Sequence, residues 1–94
     1  MQGTQKQIEW ATTIKAEFDA TFTALKARAT KPATIAAVEK LEAAYSTVIE
    51  ADSAASWIDL RDYLDKNSIA GEIREILMSS EYTPRITRAA HRSA

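Results

Sequence analysis

The spacing of apolar residues between Thr4 and about Ala29 leaves this chain few folds to choose from. Ile8, Ala11, Ile14, Phe18, Phe22 and Leu25 recur at steps of three and four, which puts them on one stripe of a single long α-helix. Thr4 followed by Gln7 fits a capping box, so the helix is expected to begin at Gln5. Such a stripe must be covered by other elements. With only two Gly and two Pro in 94 residues, those elements are expected to be helices joined by short connections.

The chain supplies them in order. Pro32 disfavours helical backbone at Lys31 and suits the first turn of a new helix, so the first helix should end near Ala29. Ile35, Val38, Leu41, Tyr45 and Val48, flanked by Ile49, form a second stripe. The short connection predicts a long antiparallel helical hairpin over residues 4–50. Asp52 and Ser53 are both good caps for a third helix over about 53–66, in which Trp57, Leu60 and Leu64 share a face. Asn67 and Ser68 then break the period. Ser68 is expected to cap a fourth helix over about 68–78, built on Ile69, Ile73, Ile76 and Leu77. Gly71 within it marks either a close helix approach or a first turn that tolerates glycine. The expected fold is therefore all-α, a small helical bundle made of a long antiparallel helical hairpin with two shorter C-terminal helices packed on it. Residues 1–78 read as a single helical domain, and residues 79–94, polar and without a sustained apolar face, as a basic, flexible C-terminal tail.

Several function classes find little support. Without cysteine there are no disulfides, thiolate metal sites or cysteine nucleophiles. No apolar run approaches the roughly 20 residues that span a bilayer, and the polar start Met1-Gln2-Gly3-Thr4 is unlike a signal peptide, so no membrane partner and a cytoplasmic location are expected. The only histidine, His91, has no predictably placed acid or nucleophile, and no nucleophile elbow, glycine-rich phosphate loop or H-E-x-x-H pattern occurs. Neither an enzyme nor a cofactor is expected. Asp59, Asp62 and Asp65 stand three apart and could in principle approach a divalent cation, but Arg61 and Lys66 lie close enough to neutralise a solvated face.

Charge is unevenly distributed. Residues 1–78 carry nine basic and twelve acidic side chains, whereas residues 79–94 carry Arg85, Arg88 and Arg92 against Glu81. The three arginines follow steps of three and four, so on a helix they would form one stripe suited to phosphates or an acidic protein groove. They remain open to three readings: a solubilising end, a protein contact, or a nucleic-acid contact with far fewer than the roughly 6–10 phosphate contacts of a strongly salt-dependent DNA binder.

Two segments carry a resemblance. Gly3-Thr4-Gln5-Lys6-Gln7-Ile8-Glu9-Trp10-Ala11-Thr12-Thr13-Ile14-Lys15 resembles the G-[ST]-x-K-Q-x-x-W-A-x-x-I-[KR] opening of small uncharacterised helical proteins of bacteria, phages and plasmids. Ala55-Ser56-Trp57-Ile58-Asp59-Leu60-Arg61 resembles their A-x-W-W-I-D-x-R element, with Ser56 where a first tryptophan often stands. The resemblance implies a phage or mobile-element setting and brings no activity that can be assigned to particular residues. From the residues themselves, Trp10 is expected at the edge of the core. It could pack on Trp57 with Asp59 and Arg61 closing the contact, or Trp57, Asp59 and Arg61 could form an exposed anchor. The function expected first is a non-enzymatic binding protein acting on a host or phage protein as an inhibitor or adaptor, with Trp57, Asp59, Arg61, Arg85, Arg88 and Arg92 as candidate partner-binding residues. The alternatives are a nucleic-acid accessory protein using the arginine tail and a homo-oligomer zipped through its long helices.

Overall fold

Thr4 and Gln7 start the first helix as their spacing predicts. Thr4 Oγ1 accepts the Gln7 N–H at 3.2 Å, and the Gln7 side-chain carbonyl accepts the Thr4 N–H at 2.9 Å. The computed structural model describes the backbone of residues 1–93 and the side chains of residues 1–90. Within them the chain forms α1 (Gln5–Arg28), α2 (Pro32–Val48), α3 (Ala54–Asp59), a 3-10 turn (Arg61–Tyr63), α4 (Lys66–Met78) and α5 (Arg85–Ser93). The fold is an all-α bundle. Its shortest dimension is 18 Å, the thickness of about two packed helices. Among the described residues no helix is long and apolar enough to cross a membrane.

α1 and α2 run antiparallel. Phe18 and Phe22 both meet Tyr45, and the Lys26 ammonium lies 2.7 Å from the Glu42 carboxylate. Ala29 and Lys31 adopt extended backbone, and Pro32 opens α2 where its missing N–H costs nothing. α3 lies along the first half of α1, while α4 and α5 pack on α2, so α2 is the shared wall of the bundle. The core joins Ala11, Phe18 and Phe22 to Val38, Leu41 and Tyr45, with Trp57, Leu64, Ile69, Ile73 and Ile86 closing it from the other elements.

The segment before α1 is tied in by backbone. The Gln2 N–H donates to the Asp52 carbonyl at 2.6 Å and the Ala54 N–H to the Gln2 carbonyl at 2.8 Å. Gly3 makes this approach feasible, because its φ is +151° and a Cβ there would stand 2.9 Å from the Ala54 Cβ. Gly71 has no such duty: a Cβ would meet nothing within 4 Å, so the close-approach reading falls away.

Three expectations change. The third helix does not run to residue 66. It stops at Asp59, Leu60 takes φ −99° and ψ 5°, and the backbone tightens into the 3-10 turn as the Tyr63 N–H reaches the Leu60 carbonyl at 2.9 Å. The buried Tyr45 hydroxyl donates to the Tyr63 carbonyl at 2.6 Å, holding that turn against the core. The fourth helix begins earlier than residue 68, because Asp65 and not Ser68 caps it, accepting the Ser68 N–H at 3.1 Å. Asp59, Asp62 and Asp65 therefore end α3, occupy the turn and cap α4, and do not share a helix face.

The third change concerns the expected flexible tail, which is helical from Arg85 and packed against α2. Ile86 is 1% exposed, Pro84 is buried, and Ala89 and Ala90 are half-buried. The lead-in is clamped by the Lys40 ammonium, which donates to the carbonyls of Ser80 at 2.7 Å and Tyr82 at 3.0 Å. The Glu72 carboxylate on α4 accepts the Arg85 N–H at 2.9 Å and so caps α5 from a different helix. The side chains of His91 and Arg92, and all of Ala94, lie outside the described residues.

Two measurements check this account. Replacing Ile86 with Ala should remove about 2–4 kcal/mol of unfolding free energy in urea, a loss that a free tail would not produce. The Ser68 hydroxyl, with backbone N–H groups, holds the Asp65 carboxyl below its ordinary range. A depressed folded-state pKa contributes stability that is complete above the unfolded value and lost as the pH falls through the folded one. Asp65→Asn, which keeps a capping side chain, should therefore flatten part of the acid-induced fall in urea midpoint below about pH 5.

Candidate interaction surface

The two tryptophans divide between core and surface. Trp57 is 3% exposed, its ring 5.5 Å from that of Phe18 in an edge contact and its Nε1–H donating to the Ala51 carbonyl at 3.0 Å. Lys15, paired with Asp19, passes 6.0 Å from the ring centre. Trp57 is thus a core residue packed on Phe18 of α1, and the expectation that it anchors a partner is corrected. Trp10 is 50% exposed. It does not stack on Trp57. The Arg61 guanidinium lies over its ring, 5.1 Å from the centroid.

Arg61 reaches that position because the helix ends before it. Its Nη1 donates to the Ile58 carbonyl at 2.7 Å, a carbonyl released at the end of α3, and the same group covers Trp10 across the α1–α3 contact. Asp59 is exposed and makes no ion pair with Arg61 among the described residues, so the expected polar closure by this pair is absent. The surface patch is Trp10 and Arg61, and among the described residues Asp59 is not paired with either.

A second group lies beyond the same turn. Tyr63, two residues after Arg61, lies under the Arg85 guanidinium at 5.2 Å from ring centre to Cζ. Arg88, one helical turn further, lies 5.6 Å from the Tyr82 ring centre and donates to the Tyr82 hydroxyl at 3.2 Å. A cleft of about 110 Å³ is lined by Tyr63, Arg85, Arg88 and Ala89. Glu72 stands behind it, 5% exposed, with one carboxylate oxygen on the Arg85 N–H and the other buried without a hydrogen-bond partner. Burial, followed by the Glu72 carboxylate, pushes the Tyr82 hydroxyl above its ordinary range; the same two causes push Tyr45 upward more strongly. Both phenols stay protonated at neutral pH.

Of the six candidate residues named from sequence, the structure brings Arg85 and Arg88 together at one cleft and places Arg61 on Trp10. It buries Trp57, leaves Asp59 unengaged, and the side chain of Arg92 lies outside the described residues. Sequence reasoning missed Tyr63 and Tyr82 as platforms and Glu72 as a cap. The position of Trp10 off the apolar stripe of α1 was the signal for its exposure. Compared with protein-family models, curated proteins and solved structures, the chain matches none.

Fluorescence separates the two tryptophans. Trp57→Phe, which leaves Trp10 as the emitter, should give red-shifted emission that acrylamide quenches readily. Trp10→Phe should give blue-shifted, protected emission from Trp57. Equal quenching of the two variants would contradict the division of burial described above.

Proposed function

We propose that the chain is a non-enzymatic binding protein that docks on another protein through the face bearing Trp10 and Arg61. The observation that carries this reading is a half-exposed tryptophan on α1 with an arginine of the 3-10 turn already stacked on it. Trp and Arg are enriched among the residues that dominate binding energy, and a ring held in place loses little freedom when a partner covers it. Arg61 keeps further N–H donors for a partner's carbonyl or carboxylate beyond the one on Ile58. The chain would act by occupying a surface of its partner, as an inhibitor or adaptor does. A host or phage protein as that partner follows from the resemblance of the Gly3–Lys15 and Ala55–Arg61 segments alone.

Nucleic-acid binding through the arginine tail is the other reading, and the same experiment decides between them. Immobilised chain is exposed to bacterial lysate with and without nuclease, beside Trp10→Ala, Arg61→Ala and the control Glu39→Gln. A protein retained by the native chain and the control after nuclease, and weakened about 30-fold or more by Trp10→Ala, supports the Trp10 face. Retention that nuclease abolishes, or that Trp10→Ala and Arg61→Ala leave intact, overturns it.

A further inference from the structure

We infer that the cleft between the 3-10 turn and α5 is a binding site for a single oxyanion head group, a phosphate monoester or a carboxylate, held by Arg85 and Arg88. Both guanidinium groups lie over tyrosine rings, 5.2 Å from Tyr63 and 5.6 Å from Tyr82, and both line or border one cleft of about 110 Å³. Neither forms an ion pair with a carboxylate among the described residues. Arg88 uses one donor on the Tyr82 hydroxyl, and the Arg85 guanidinium donates no hydrogen bond among the described residues, so most of their ten N–H donors remain for a ligand.

Glu72 lies beside Arg85, and its geometry diverts it from the guanidinium. Its carboxylate accepts the Arg85 backbone N–H at 2.9 Å and is buried, so it offsets the positive end of α5 and leaves the guanidiniums unpaired. The aromatic platforms limit the directions in which the two forks can point. A planar fork held this way suits a carboxylate or phosphate, each of which accepts two parallel bonds, and is poorly used by a halide. The cleft is large enough to admit one such head group. The site is separate from the Trp10 and Arg61 face, so either can fail without the other.

The test is titration of the full chain with inorganic phosphate, and separately with acetate, at constant ionic strength against chloride. Amide and arginine Nε–Hε resonances are followed by NMR. Saturable shifts of Arg85, Arg88 and Ala89 in phosphate or acetate, absent in chloride, are expected, and the anion that saturates at lower concentration names the source. Arg85→Gln and Arg88→Gln, both at exposed positions, should each weaken the saturable phase about tenfold. Arg88→Lys, which keeps the charge and loses the fork, should weaken it nearly as much. Shifts that rise linearly in all three salts, or full affinity in Arg88→Lys, overturn the proposal by reducing the cleft to a diffuse positive potential.

Discussion

The ring of Phe18 is the contact on which the bundle depends. It meets Phe22 at 5.0 Å, Tyr45 at 5.2 Å and Trp57 at 5.5 Å, so one side chain on α1 fixes the positions of α2 and α3 together. The contacts with Tyr45 and Trp57 are edge-on, the arrangement that the charge distribution of aromatic rings favours, and Phe22 adds a further edge contact to Tyr45 at 5.9 Å. Each polar atom buried with these rings is satisfied. The Trp57 N–H reaches the Ala51 carbonyl and the Tyr45 hydroxyl reaches the Tyr63 carbonyl, so the cluster buries its aromatic area without leaving an orphaned donor.

From Tyr45 the order passes outward. Its hydroxyl, kept protonated by burial, fixes the 3-10 turn in which Arg61 and Tyr63 stand two residues apart. Arg61 turns to Trp10 on α1 and Tyr63 to Arg85 on α5. A regular helix through residues 53–66 would not release the Ile58 carbonyl that Arg61 holds, nor allow Asp65 to begin α4. The break at Leu60 therefore places both surface groups, and it also sets the start of the helix whose Glu72 caps α5.

The legibility of these features follows the range of the interactions that determine them. The cap of α1 could be read because Thr4 and Gln7 carry both of its bonds within three residues, and the stripes of α1 and α2 because their period is local. α5 could not be read in the same way. It has one large apolar anchor, Ile86, beside the half-buried Ala89 and Ala90, and its cap comes from Glu72, thirteen residues upstream of Arg85. The end of α3 was hidden for a related reason, since Trp57, Leu60 and Leu64 keep a helical period while the Tyr45 hydroxyl and the Asp65 cap favour a tighter turn. At the candidate surface, the presence of arginine was legible and its partners were not. Which tryptophan faces the core depends on how α3 lies across α1, and that placed Trp57 against Phe18 and Trp10 in water.

Several acids are committed away from the surface arginines in this protein, whose formal net charge is −1. Asp65 is committed to the first turn of α4, Glu72 to the first N–H of α5, Asp19 to Lys15 and Glu42 to Lys26. Arg61, Arg85 and Arg88 instead rest on Trp10, Tyr63 and Tyr82. An arginine in a surface ion pair must give up that pair before it binds anything else, whereas one on an aromatic face keeps its edge donors free while its plane is already oriented. The ordering cost is met largely by the folded core, through Phe18 and Tyr45, so a partner that reaches these groups spends less of its contact energy in fixing them.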